Sequence, residues 1–310
     1  MANVILQDGD LRVEIDPALG AGLVDLSLTI PGRGPVPLMR TAPATGWFND
    51  LASYLLIPWS NRISLGQFAW EGRTHRLATD WPDGTAIHGL VKEAPWRIEQ
   101  RSPVSALLKF SSGELGAPYP WPFSASVLYR IDGSSVATRI TLTHEVGGSI
   151  PGTMPAGLGF HPFWKRSLWD PGDAVRVHAP GLRRYPCLNM IPVGTPELDA
   201  VSAALGDGMP LDSLTLDDVF AGSLDGSHIR WDRSGVRVTY ECSPELGHAV
   251  LFTGAPDPRG EMPGFFCLEP VTMVNDGFNL ASRGWIDTGV RALEPGESML
   301  ANWTIRIDRD

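Results

Sequence analysis

The chain has 310 residues, enough to bury one large core or two modest ones. Its formal net charge of −10 repels phosphate backbones, so nucleic acid is not an expected partner, and no run is long and apolar enough to cross a membrane as a helix. Hydrophobic residues at 43% and charged residues at 19% are ordinary for a globular protein, while 34 Gly and 27 Pro, scattered rather than clustered, suit an all-β chain of many short strands joined by tight turns.

The N-terminal ten residues carry no basic segment followed by an apolar run and read as a first strand, not a signal peptide. Leu11, Val13 and Ile15 then alternate with Arg12, Glu14 and Asp16, the period of a half-buried strand. Val24 to Leu28 resumes the alternation. Leu55-Leu56-Ile57-Pro58-Trp59 is an apolar run leading into the polar tip Ser60-Asn61-Arg62. Phe68 to Leu77 predicts a surface hairpin turning at Glu71-Gly72, with His75 in its alternation. The loop Trp81 to Ile87 delivers His88-Gly89. Further strands are expected at Trp96–Glu99 and Leu107–Phe110, and a hairpin at Phe123–Ile131 and Val136–Thr143 around residues 132–135. Ala156 to Trp164 is the most aromatic stretch. Residues 180–210 are proline-rich and irregular, with room for a short helix between Pro196 and Leu205. Strands return at 229–231, 236–240, 249–253 and 301–307, the last after the turn Leu293-Glu294-Pro295-Gly296-Glu297. No repeat or low-complexity block divides the sequence, so residues 1–310 read as a single domain.

The stretch Gly264-Phe265-Phe266-Cys267-Leu268-Glu269-Pro270 ends an apolar run on a carboxylate. A strand burying Phe265, Phe266 and Leu268 carries Glu269 into or beside the core, where loss of water raises a carboxyl pKa toward that of a working base. An isolated Leu-Glu-Pro reads better as a strand end with its Glu in solvent; two histidines and an arginine in equally marked settings elsewhere favour the buried reading here. Of the seven histidines, His75, His144, His178, His228 and His248 take structural or exposed readings. His88 precedes a glycine that lets the backbone turn sharply, and His161 lies among Phe160, Phe163 and Trp164, where desolvation favours the neutral ring. Each reads equally as a core histidine satisfied by a carbonyl. Arg62 could fork onto hydroxyls or a carboxylate, or form a structural ion pair. Asp217-Asp218 offers another carboxylate or a plain turn. No H-x-H, H-x-x-x-H, H-E-x-x-H, G-x-S-x-G or phosphate-loop spacing occurs, so neither a metal nor a cofactor is expected. Cys187, Cys242 and Cys267 are sparse and unpaired in pattern, which predicts reduced thiols in a cytoplasmic protein.

Taken in order, Pro58-Trp59-Ser60-Asn61-Arg62-Ile63, Ile87-His88-Gly89-Leu90, Gly159-Phe160-His161-Pro162-Phe163, Leu216-Asp217-Asp218-Val219-Phe220, Cys267-Leu268-Glu269-Pro270 and the terminal Leu293-Glu294-Pro295-Gly296-Glu297 resemble the aldose 1-epimerase (mutarotase) family. The resemblance spans nearly the whole chain. It implies a large antiparallel β-sandwich of the galactose mutarotase type with few short helices, and a small-molecule sugar as partner. It implies Glu269 as general base, His161 as general acid, and Asn61, Arg62, His88 and Asp217 on sugar hydroxyls. Asp217 is preferred to Asp218 because it stands three before Phe220. The galactose-specific branch carries Asn before its second histidine and Tyr-Phe-Asn-Leu after it. Here Phe160 precedes His161 and Pro162-Phe163-Trp164 follow, which leaves the sugar open within aldoses. The implied reaction opens and recloses the ring by paired proton transfers. The alternatives are a hexose-6-phosphate mutarotase, drawing on Arg73, Arg76, Arg183 or Arg184, a non-catalytic carbohydrate-binding sandwich, and a glycoside-cleaving Glu269/Asp217 pair.

Overall fold

The computed structural model describes residues 2–41, 43, 45–116, 118–212 and 214–309. Of the predicted first strand, Val4–Asp8 forms, and Met1 lies outside the described residues. Leu11–Asp16 buries its three aliphatic side chains and leaves the charged ones half-exposed, as period two requires. The long hairpin forms as Phe123–Asp132 and Ser135–His144 in unbroken antiparallel register.

These strands build two large sheets. The ten-stranded sheet runs in the order Val4–Asp8, Leu11–Asp16, Gly22–Ile30, Ser53–Leu56, Gly159–Lys165, Phe265–Val271, His248–Phe252, Asp217–Ala221, Arg183–Arg184, with Gly34–Pro37 added beside the third. The nine-stranded sheet is centred on Phe123–Asp132, Ser135–His144, Ser298–Arg309 and Val236–Cys242. The fold is therefore all-β, a large antiparallel sandwich. Between the sheets lies a continuous apolar core to which one sheet gives Leu55, Phe160, Trp164, Leu251, Phe266 and Leu268, and the other Phe123, Val127, Ile140, Tyr240 and Trp303. One polar link crosses the gap: Trp164 Nε1 donates to the Tyr240 hydroxyl (2.5 Å), which donates to the Leu268 carbonyl (3.0 Å).

The short helices expected from the sequence number two among the described residues, Ala200–Asp207 and Gly277–Ser282. The first starts later than Pro196 because the Asp199 carboxylate caps it, accepting from Ser202 N at 2.8 Å. The second, six residues long, is too short to show a helical period. The 180–210 segment is more ordered than predicted: Arg183–Arg184 closes the edge of the ten-stranded sheet, and Cys187–Leu188 pairs with Ile191–Pro192. The Phe68–His75 hairpin also departs from expectation. His75 is buried, stacked on Phe68 at 5.1 Å and 4.7 Å from Trp121, so one face of that hairpin is packed. All three cysteines are free. No helix among the described residues is long and apolar enough to cross a membrane.

Candidate active site

Along Phe265–Val271 the side chains alternate. Phe266 and Leu268 enter the core between the sheets, whereas Cys267 and Val271 join a second apolar cluster on the other face, with Glu269 between them. Of the three residues expected to be buried, Phe266 and Leu268 are, whereas Phe265 is half-buried, because period two puts it with Glu269, where both line a cavity of about 180 Å³. The neighbouring strand sets Gly159 opposite Val271 and Phe163 opposite Cys267, which carries His161 across from Glu269. His161 Nε2 stands 3.3 Å from Glu269 Oε1. On the other side His161 faces Tyr54, whose ring lies 4.5 Å away and nearly parallel.

The third wall is a two-stranded ribbon, Arg62–Ile63 against Ala86–Ile87. Asn61 (φ 53°) and His88 (φ 61°) flank it in the left-handed region, which Asn and His tolerate better than most residues. His88 N donates to the Asn61 carbonyl (2.9 Å), so the two turns brace each other. Gly89 (φ 74°) is required here: a Cβ would stand 2.0 Å from the Ile57 carbonyl oxygen. Behind the turn, buried Lys92 donates to the Ile87 and Gly89 carbonyls (2.8 and 3.0 Å) and to Asp80 (2.6 Å), bracketing His88. His88 meets His161 edge-to-face at 4.9 Å. Arg62 spreads across the wall, with Nε on Asp83 (2.8 Å), Nη1 on Asn61 Oδ1 (3.0 Å) and Nη2 3.7 Å from Asp217. Asp217 lines the cavity, while alternation turns Asp218 onto Arg184 (3.0 Å).

All six residues singled out in the sequence thus border one cavity. Its electrostatics follow from burial. Desolvation, reinforced by Asp217 and opposed by Arg62, holds the Glu269 carboxyl well above the usual carboxylate range. Desolvation, then the charges of Arg40 and Arg62, pushes His161 down to about 3, much further than its aromatic setting in the sequence suggests. His88 is also driven well below an ordinary imidazole by burial and by His161, Lys92 and Arg62. Asp217 is raised by burial against the opposing pull of Arg62. Among the described residues lining the cavity, three buried polar atoms have no hydrogen-bond partner: Glu269 Oε2, His161 Nδ1 and His88 Nδ1. A buried polar atom left unpaired costs about 1–3 kcal/mol, so these are positions where a ligand's hydroxyl groups would be stabilised.

Several residues of the cavity escaped the sequence reading: Asn49, Tyr54, Trp81, Phe163, Phe252 and Phe265. Aromatic residues inside strands carry the same pattern as core residues, and only the face they occupy separates them. Lys92 was silent too, since two of its three partners are backbone carbonyls, which no residue type announces. As for metal, His161, Cys267 and Glu269 offer donor atoms within 4.8 Å of one another. A metal needs the thiolate, whereas burial and the nearby Glu269, opposed by Arg40, push the Cys267 thiol well above its usual range, and the Arg40 guanidinium is itself a cation beside the trio. The trio fits a resident cation poorly.

The sequence profile of the aldose 1-epimerase family matches residues 3–306. The chain belongs to the aldose 1-epimerase family. It is similar to the uncharacterized protein YphB of Escherichia coli K12, 27% identical over 288 residues that cover 89% of this chain and 90% of the relative. Among solved structures, a galactose mutarotase-like protein from Clostridium acetobutylicum superposes with TM-score 0.81 at 20% identity, covering 99% of this chain and 95% of the other. The galactose 1-epimerase of Lactobacillus acidophilus NCFM superposes with TM-score 0.75 at 12% identity, covering 99% and 94%. At these identities the structural likeness establishes the fold.

Proposed function

We propose that this member of the family is a mutarotase, interconverting the α and β anomers of a free aldose without a cofactor. The observation that carries the reading is the Glu269–His161 pair: two buried proton carriers 3.3 Å apart, each with an unpartnered polar atom, in a cavity on the scale of one sugar ring. Glu269 takes the proton of the anomeric hydroxyl while His161 delivers one to the ring oxygen. The ring opens to the aldehyde, C1–C2 rotates, and closure on the other face reverses both transfers. Each such transfer contributes on the order of 10²–10⁴-fold. Burial favours the neutral form of both groups. The neutral pair and the ion pair hold the same single proton, so the productive state, Glu269 ionised and His161 protonated, is reached by moving one proton between them once sugar hydroxyls supply the missing hydrogen bonds. In this reading Asn61, Arg62, His88 and Asp217 hold the hydroxyls.

The charge around the cavity favours a free sugar over a sugar phosphate. Arg62 is flanked by Asp83 and Asp217. Arg184 is bound to Asp199 and Asp218, and Arg73, Arg76, Arg183 and Arg184 do not line the cavity. A non-catalytic sugar binder would have no use for two proton carriers left unpartnered at its floor. Polarimetry on freshly dissolved α-glucose, α-galactose and α-xylose, with their 6-phosphates where these exist and a disaccharide control, tests the reading. The expected result is accelerated rotation change for at least one free aldose and a lower kcat/KM for its phosphate. Sugar binding without acceleration would make the protein a binding module instead.

A further inference from the structure

His161 does not contact solvent charge directly, but it is linked to a cation through one ring. Phe163 stacks on His161 with centroids 4.6 Å apart and planes 23° apart. The guanidinium carbon of Arg40 lies 3.3 Å from the centroid of Phe163. A guanidinium that close covers one face of the phenyl ring and leaves His161 the other. Arg40 also lies 4.9 Å from the ring of Phe265, a wall of the same cavity. Its position is fixed at both ends. The Arg40 backbone N–H donates to the Phe163 carbonyl (2.9 Å). Its Nε donates to the Leu51 carbonyl (2.9 Å) and Nη2 to the Asn49 carbonyl. Asn49 lines the cavity, and Phe48 beside it packs edge-on against Tyr54 at 5.2 Å. No carboxylate is recorded within ion-pair distance of Arg40 among the described residues; Asp50, next to Asn49, acts on its charge only from further away.

We propose that Arg40 is a positioning residue for the proton chemistry of this site: clamped to the 49–51 wall and seated on Phe163, it keeps a positive charge with no ion-pair partner behind His161, so that the imidazolium, once formed, gives its proton up to the sugar instead of keeping it. Cation–π contact explains why arginine stands here, since a planar guanidinium can lie on the phenyl face and donate in its own plane at the same time. The other groups facing His161 are Tyr54 from the adjacent strand, Cys267 and Glu269 from the partner strand, and His88, Arg62 and, beyond Glu269, Asp217. Of these, Arg62 is balanced by Asp83 and Asp217. Arg40 is thus the cation whose removal changes His161 most. Consistent with this, after burial itself Arg40 is the largest influence holding the imidazole down.

The kinetic consequence rests on the mutarotase reading, but the effect on the ring does not, and the test separates them. The titration of His161 is followed by NMR of histidine-labelled protein in the wild type, Arg40→Gln, Arg40→Met and Arg40→Lys. Gln keeps a donor for the Leu51 or Asn49 carbonyl and removes the charge. Met removes both, and Lys keeps the charge. Gln and Met should raise the His161 midpoint by on the order of one pH unit, the size expected of one unit charge at this separation in a partly polar interior, while Lys leaves it near the wild-type value. In a protein active on a free aldose, the acid limb of kcat/KM should move up by the same amount and the alkaline limb should stay. A His161 midpoint unchanged in folded Arg40→Gln would overturn the proposal and leave Arg40 as a clamp on the wall. A shift in the ring without any mutarotation in the wild type would uphold the electrostatic role and sink the reaction assigned to it.

Discussion

The two faces of the central strands bury side chains equally well and put that burial to opposite use. On the core face, Phe160, Trp164, Phe266 and Leu268 meet the second sheet, and the polar atoms of Trp164 and Tyr240 satisfy each other. Each large apolar side chain there stabilises the fold by about 1.5–3 kcal/mol. On the other face, one residue away, Glu269 and His161 are also buried but keep unpartnered atoms, as does His88 at the end of the ribbon beside them. That face costs stability in the empty protein and becomes favourable when a ligand completes its hydrogen bonds. Burial alone therefore does not distinguish a core from a site. Indole nitrogens of Trp59, Trp96, Trp121 and Trp303 are unpartnered in the core as well; what marks the site is that its unpartnered atoms belong to titratable side chains gathered around one cavity.

The largest expected effect comes from crossing between the faces at adjacent residues. Glu269→Gln should lower kcat by about 10³-fold or more, because it keeps shape and removes the base. It should also stabilise the protein. Glu269 is raised in the folded state, so above its ordinary value of 4.5 the unfolded chain releases a proton that the folded chain keeps, and stability falls as pH rises toward the raised value. Glutamine lacks that proton. The variant's stability advantage should be close to nil near pH 4 and grow as pH rises above the ordinary value of Glu269. Leu268→Ala, one residue away on the core face, should instead lose about 2–5 kcal/mol of stability while leaving the pH limbs of the residual activity in place. Thermal unfolding of both variants at several pH values checks the contrast. A Glu269→Gln protein less stable than wild type at pH 8 would mean that this face is paired core after all.

A smaller loss, about 10²-fold or more in kcat, is expected for His161→Asn. The wild type should be active wherever the pair holds one proton. The acid limb then lies near pH 3, where His161 takes up a second proton, and the alkaline limb lies at the raised value of Glu269. Without the imidazole, residual activity needs only ionised Glu269, so it should climb with pH and lack the alkaline limb. Rates measured against pH, with spontaneous mutarotation subtracted, decide this. An alkaline limb surviving in His161→Asn would name the wrong histidine as the acid.

How much of this was legible in the sequence follows from the physics of each signal. The alternation of Leu11, Val13 and Ile15 and the long hairpin at residues 123–144 are local, and they were read almost to the residue. Glu269, His161, Asn61, Arg62, His88 and Asp217 were found because each breaks a local pattern: a charge ending an apolar run, an imidazole among aromatics, a polar tip after a strand. Tyr54, Phe163 and Phe265 break no pattern, and only the assembled sheet reveals that they face a cavity. His75 was placed on the surface because a hairpin alone does not disclose what packs against it. The Phe68 side of that hairpin meets Trp121 and Phe278, which lie 53 and 210 residues further on and which no local period could announce.

His88 should behave differently from His161 although the two rings touch. Burial, His161, Lys92 and Arg62 hold its imidazole well below the ordinary value, and it is His161, not His88, that stands 3.3 Å from Glu269 to exchange a proton with it. His88→Asn should raise KM by about 10-fold, the equivalent of one lost hydrogen bond of about 1.4 kcal/mol to the substrate, and leave both limbs where they are. A missing alkaline limb in this variant would transfer the acid role to His88.

The finest comparison uses the adjacent carboxylates of one strand. Asp217 faces the cavity and repels the charge on Glu269, contributing to its high proton affinity. Asp218 is turned the other way and held by Arg184 at 3.0 Å. Asp217→Asn removes the repulsion, so Glu269 should ionise more readily and the alkaline limb should move to lower pH, by up to about one unit. KM should rise severalfold as well, if Asp217 holds a hydroxyl. Asp218→Asn should move neither quantity. It loosens a half-buried ion pair with Arg184, an effect to be read in unfolding and not in the pH profile. Profiles of kcat/KM for the two variants, collected in one buffer series, give the answer. A limb that shifts equally in both would show that Glu269 responds to the net charge of the strand end, not to the carboxylate that shares its face.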